Sequence, residues 1–172
     1  MTIFNKINLS KIISHHFATI KNANTGKPDK DDFFTFIMFP IIISSTLIYF
    51  KIDLKTDATN VIISTLSIFV GLMFNIIVLI FDIIKRDASQ KVKNIVLKEL
   101  LSNISFAIFV SILSIIITLF TYSTNMCIKI IFTWLAYFFL TLFLVTLLMI
   151  LKRMYNIFEN EIDSLEKGNT PE

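Results

Sequence analysis

The sequence from residue 58 to residue 84 reads ATNVIISTLSIFVGLMFNIIVLIFDII, and Asp82 is its one charged residue. An α-helix rises about 1.5 Å per residue, so this stretch exceeds the roughly 30 Å hydrocarbon core of a bilayer. Its apolar residues are continuous and do not alternate in steps of two, which excludes a strand of a membrane β-barrel. The stretch predicts a transmembrane helix that tilts or continues into the aqueous phase.

Three further apolar stretches occupy residues 33–50, 100–122 and 130–151. A spanning helix needs about 20 residues, so the first of them is marginal, and it also contains Pro40. The 172-residue chain is 55% hydrophobic and 17% charged, with a mean hydropathy of +0.74, unlike a soluble globular domain. We therefore predict an all-α polytopic membrane protein whose residues 33–151 form four transmembrane helices, with the lipid bilayer as its main partner.

Basic residues are distributed unequally between the two sides of these helices. Five Lys or Arg precede residue 33, five lie in residues 85–98 and three follow residue 151, against two in residues 51–57 and one in residues 123–129. Cytoplasmic segments carry the excess of Lys and Arg in membrane proteins. This distribution predicts that both termini and the 85–98 loop are cytoplasmic.

The two ends of the chain are predicted to be cytoplasmic helices. Residues 1–32 contain apolar residues at helical spacing among lysines, which indicates an amphipathic helix on the inner leaflet or on a partner protein. Residues 152–172 predict a helical extension that stops at Gly168. Its apolar stripe is a candidate contact for another protein, or for the N-terminal helix of the same chain.

Polar and small residues follow one face of each of the two middle spans. Such faces pack against other helices or line water, because lipid offers them no partner. We expect the two faces to meet within the chain, leaving the first and fourth spans toward lipid, with a pore lining as the alternative. The second span contributes Asn60, Ser64, Ser67, Gly71, Asn75 and Asp82, and the third contributes Asn103, Ala107, Ser111, Ser114, Thr118 and Thr121.

Two of these polar residues have specific interpretations. Asn75 lies well inside the predicted bilayer, where an unpaired carboxamide costs several kcal/mol, so we expect a partner such as the same residue in a symmetric oligomer. Asp82 lies near the cytoplasmic end of its span. A salt bridge to Lys85 or Arg86 explains it better than a proton relay.

No pattern of catalytic or ligand-binding residues is present in the sequence. His15 and His16 are adjacent and point to different sides of a helix, so we expect surface residues and no metal site. The three glycines are too scattered for a phosphate-binding loop, and no base accompanies a membrane serine. We predict no enzyme, no cofactor, no metal and no direct nucleic-acid partner.

The strings LSIFVGLMFN at residues 66–75, FD at 81–82 and LSNISF at 101–106 resemble small four-helix membrane proteins of bacterial antiphage defence. The family is the KwaA type of the Kiwa system, with the RexB type of phage-exclusion protein similar in layout. The resemblance implies a homo-oligomer, such as a tetramer, in the bacterial inner membrane. It also implies infection sensing or altered membrane permeability, with a cytoplasmic effector protein as a further partner.

Three functions remain open from the sequence. The first is a membrane-embedded defence subunit that senses infection or holds a cytoplasmic effector. The second is an oligomeric gated pore, lined by the Asn75 face, that depolarises the membrane. The third is a small secondary transporter, which usually needs an ionisable residue in mid-membrane, and Asp82 lies too near the interface for that role.

Overall fold

A computed structural model describes residues 9–19, 34–86 and 91–168, and its regular structure there is helical. The rest of the predicted amphipathic segment and of the C-terminal tail lies outside the described residues. A π-helical turn, Phe34–Met38, precedes α2, and a 3-10 turn, Phe120–Tyr122, follows α4. The α-helices are α1 (Ser10–Thr19), α2 (Phe39–Tyr49), α3 (Thr56–Arg86), α4 (Lys91–Leu119) and α5 (Met126–Gly168).

Three helices are long and apolar enough to cross a membrane. Their apolar parts are Thr56–Asp82 in α3, Val96–Tyr122 across α4 and its 3-10 turn, and Met126–Glu159 in α5. The first predicted span, residues 33–50, corresponds to the shorter apolar helix Phe34–Tyr49. This helix rises about 24 Å, less than the roughly 30 Å of a hydrocarbon core. Pro40 lies just after the π-helical turn, so its missing N–H removes one hydrogen bond from the continuous helix Phe34–Tyr49.

The helix α4 occupies the centre of the bundle. It packs between α3 and α5, α2 packs against α5, and α1 packs against α4. In the part of the chain that the structure describes, the close backbone contacts of α3 run to α4 alone. Accordingly, 56% of the apolar window of α4 is buried, against 11% of that of α3. One side of α3 therefore faces away from the bundle.

The inward side of α3 is defined by a repeat of seven residues. Thr59, Leu66, Met73 and Ile80 are its buried residues and pack toward α4. A seven-residue repeat keeps one seam of a helix in contact with its neighbour. Between these positions, the Phe69 ring reaches the edge of the Phe143 ring on α5, with their centroids 5.6 Å apart.

The N-terminal helix α1 docks on the bundle through its apolar face. Ile12 and Ile13 pack against the core, and His16 is fully buried against α4. This finding corrects two expectations. The apolar face of α1 packs on its own chain, and not on the inner leaflet or on a partner protein, and His16 is buried and not a surface residue. The exposed His15 agrees with the prediction for it. The C-terminal extension is helical to Gly168, as predicted.

Polar contacts join α5 to α2 and to α4 at opposite ends of the bundle. The Trp134 indole N–H donates to the Ser45 hydroxyl at 3.2 Å, and the Tyr137 hydroxyl donates to the Ile52 carbonyl at 3.1 Å. At the other end, Arg153 pairs with Glu99 at 3.0 Å. The fourth span thus packs against both α2 and α4, while 33% of its apolar window is buried and the rest faces away from the bundle.

Candidate functional site

The side of α3 that faces away from the bundle carries all six of the polar and small residues predicted there. Nine residues, or about two and a half turns, separate Asn75 from the buried Leu66, so the two point to opposite sides. Ser64, Ser67, Gly71 and Asn75 are exposed and form what we call the α3 outer face. This face lies near the middle of the apolar part of α3, Thr56–Asp82.

Gly71 and Asn75 are both exposed on the outer side of α3. A Cβ atom added at Gly71 would meet nothing within 4 Å, so packing within the chain does not require glycine there. The Asn75 carboxamide makes no hydrogen bond to any other residue that the structure describes. Hydrocarbon offers an unpaired carboxamide no hydrogen bond, which costs several kcal/mol.

The remaining polar residues of this side are less available to a partner. The Ser67 hydroxyl donates to the Ile63 carbonyl at 2.8 Å, so its hydrogen bond is already satisfied within the helix. Ser67 is also small, which permits the close approach of another helix. Asn60 accepts a hydrogen bond of 3.4 Å from the Tyr122 hydroxyl. Asp82 is exposed, and no ion pair joins it to Lys85 or to another described side chain. The expected salt bridge of Asp82 is therefore not seen among these residues.

The polar face of the third span lies inside the bundle, and the two faces do not meet. Asn103, Ser111, Ser114 and Thr118 are all buried. The Ser111 and Thr118 hydroxyls donate within their own helix, to carbonyls one turn earlier, at 2.8 and 2.7 Å, whereas the Ser114 hydroxyl makes no hydrogen bond to a described residue. Asn103 bonds to α1. The expectation that the two faces satisfy each other within the chain is wrong.

His16 is a buried polar residue that the sequence analysis assigned to the surface. Its Nδ1 lies 2.9 Å from the Asn103 Oδ1, and its ring stacks on Phe106 with centroids 3.8 Å apart. Burial lowers the pKa of His16 from 6.5 to about 4, although the Asn103 hydrogen bond acts in the opposite direction. The signal in the sequence is its spacing of four and three residues from Ile12 and Ile13, which places it on their face.

We expect the docking of α1 to weaken in acid because His16 is neutral when docked. The undocked imidazole binds a proton below pH 6.5, whereas the docked one does so only near pH 4. Docking is therefore strongest above pH 6.5 and loses about 1.4 kcal/mol per pH unit as the pH falls from 6.5 toward 4. Hydrogen exchange of the 10–19 amides, corrected for intrinsic rates, measures this loss between pH 7 and pH 5.

Two glutamine variants isolate His16 from other titrating groups. His16→Gln should abolish the pH dependence of exchange, because glutamine does not titrate. His15→Gln should retain it, since His15 is exposed and does not enter the pocket that buries His16. If exchange in the wild type were equally slow at both pH values, the linkage between His16 protonation and docking would be refuted.

Metal binding can be judged from the His, Cys, Asp and Glu side chains in the described part of the bundle. Within residues 9–19, 34–86 and 91–168, no group of three or more His, Cys, Asp or Glu side chains could hold a metal ion. Comparison with family models, with curated proteins and with solved structures found no match for this chain.

Proposed function

We propose that this protein is a self-associating membrane protein whose copies meet through the α3 outer face. The observation that carries the proposal is the position of Asn75, exposed on an apolar helix with no hydrogen-bond partner among the described residues. In the proposed topology, the chain spans the bacterial inner membrane four times with both termini in the cytoplasm. The shorter helix α2 is the first of the four spans.

The chemistry of this face suits a second copy of the same chain. A carboxamide carries both a donor and an acceptor, so two Asn75 side chains related by symmetry satisfy each other. Ser67, Gly71 and Asn75 follow at intervals of four residues. Small residues at that interval let helix backbones approach closely, which strengthens packing and hydrogen bonds in a bilayer.

We propose that the assembly is a component of bacterial antiphage defence, as the family resemblance suggests. In this proposal the oligomer, a tetramer in the related layout, senses infection and acts through a cytoplasmic effector protein. A pore remains the second candidate, since Ser64 and Asn75 would also be the polar lining if the copies surrounded a central axis. A secondary transporter has less support. It usually needs an ionisable residue in mid-membrane, and Asp82 lies near the end of the apolar part of α3.

Cysteine cross-linking in intact cells tests the assembly directly. Cys127 is the only cysteine, so Cys127→Ser provides a cysteine-free background. We expect Asn75→Cys or Ser64→Cys in this background to form disulfide-linked dimers readily on mild oxidation. Leu148→Cys is the matched control, because Leu148 is 65% exposed on α5, away from the proposed interface. Equal cross-linking at all three positions would contradict the proposed interface.

The same cells then report the role of the assembly during infection. We expect cells that express the protein to give fewer plaques than cells that do not. Cross-linking two copies through α3 should change the number of plaques. A voltage-sensitive dye separates the two candidate functions. Depolarisation on infection supports the pore, and a steady potential with protection retained supports the sensor or scaffold. Normal plaque numbers would refute the defence role without affecting the cross-linking result.

A further inference from the structure

A cavity of about 550 Å³ lies at the end of the bundle opposite to α1. It opens between the C-terminal end of α2, the loop that follows it and the first turns of α5. Its volume falls within the range of small-molecule binding sites. Its walls are mostly apolar with a few charged groups at the rim, and the residues that line it are Ile48, Lys51, Ile52, Asp53, Thr124, Met126, Lys129, Ile130 and Thr133.

Lys51 reaches this cavity through an unusual backbone conformation. Its φ angle is +53°, in the left-handed region that favours glycine. The Lys51 N–H donates to the Ile48 carbonyl and the Ile52 N–H donates to the Leu47 carbonyl, at 2.9 and 3.1 Å. These two bonds form a Schellman cap, in which glycine is the usual residue at the position of Lys51. A lysine here carries a conformational cost that helix termination alone does not explain.

The rim of the cavity carries a net positive charge. Lys129 pairs with Asp53 at 2.7 Å, and both side chains remain partly exposed. Lys51 is exposed and adds a second cation without a second acid among the lining residues. A lysine ammonium has three donors, so Lys129 retains two after it binds Asp53. Charge complementarity therefore favours a ligand with one negative charge.

One of the residues that line the cavity, Thr133, has a buried hydroxyl with no hydrogen-bond partner among the described residues. Thr133 is 3% exposed, and its hydroxyl makes no hydrogen bond to any described residue. Thr141 and Thr146, on the same helix, donate to the carbonyl one turn earlier, whereas Thr133 does not. Thr133 lies four residues after Lys129 on one face of α5, about 6 Å deeper along the helix.

We propose that this cavity binds a single anionic phospholipid, with the phosphate between Lys51 and Lys129. A glycerophospholipid places its ester carbonyls below its phosphate, which matches the depth of the Thr133 hydroxyl below Lys129. The acyl chains then follow the apolar wall formed by Ile48, Met126 and Ile130. The inference goes beyond the proposed self-association and rests only on the position of this end of the bundle at a membrane surface.

Lipid titration of the purified full-length protein tests the site. Native mass spectrometry in detergent would measure the binding of phosphatidylglycerol and phosphatidylcholine separately. We expect one phosphatidylglycerol to bind about tenfold more tightly than phosphatidylcholine. One charge-assisted hydrogen bond contributes enough binding free energy for a difference of about that size. Lys51→Gly should remove this preference while the thermal stability stays equal or rises, because glycine suits the left-handed position. Thr133→Val should weaken both lipids about threefold to tenfold.

The controls separate this site from nonspecific attraction to a basic surface. Lys55 lies in the same loop but outside the cavity, so Lys55→Ala should leave both affinities unchanged. Equal binding of the two lipids, or an unchanged preference in Lys51→Gly, would overturn the proposal. Competition by soluble glycerol phosphate at equal concentration would also overturn it, since the ligand would then be a free phosphate ester. None of these outcomes alters the cross-linking expected along α3.

Discussion

Replacing Gly71 with leucine is expected to leave the fold of one copy intact and to prevent its association with another. No atom lies within 4 Å of a Cβ added at Gly71, and leucine favours the helix by about 1 kcal/mol relative to glycine. On the proposed interface, however, the larger side chain holds the two backbones apart and separates the Asn75 carboxamides. The dissociation constant in lipid should rise about tenfold or more.

Energy transfer between labelled copies, followed as the protein is diluted in lipid, measures that dissociation constant. Ala107→Leu is the matched control, because Ala107 is a fully buried small residue on the neighbouring helix α4. Overpacking there should destabilise the bundle by about 1–3 kcal/mol. If Gly71→Leu associated as tightly as the wild type, the copies would have to meet through another surface.

Replacing Phe106 with alanine is expected to release α1 from the bundle. The Phe106 side chain is 5% exposed, and its ring stacks on His16 at 3.8 Å with an interplanar angle of 10°. The Phe36 ring meets the edge of the same imidazole at 5.5 Å, so Phe106 forms one wall of the pocket that holds His16. Truncating a buried phenylalanine costs about 3–5 kcal/mol, enough to open a short docked helix.

Two measurements distinguish loss of docking from global unfolding. Hydrogen exchange of the 10–19 amides should become fast at pH 7, while the amides at the centres of α4 and α5 remain protected. Phe120→Ala provides the control, because Phe120 is 53% exposed and stacks on Phe132 at the other end of the bundle. Slow exchange of α1 in Phe106→Ala would show that Ile12 and Ile13 hold the helix without the aromatic pocket.

Local sequence patterns predicted the helices themselves. Continuous apolar runs such as residues 58–84 are long enough to cross a bilayer, and α3 is helical throughout that run. The polar positions also fell on single faces of α3 and α4, because helical spacing depends on sequence alone. The side of the bundle that each face occupies did not follow from those patterns. Asn75 and Asn103 have similar sequence surroundings, yet one is exposed and the other is fully buried.

The sequence by itself determined which segments form apolar helices and which residues share a helical face, since both depend on length and periodicity. Only the tertiary structure decided that α4 is central, that His16 is buried beside Asn103, and that Asn75 points outward. The physical reason lies in hydrogen bonding. Ser111 and Thr118 bond to their own helix and Asn103 bonds to α1, so these three residues are buried without pairing with the polar face of α3.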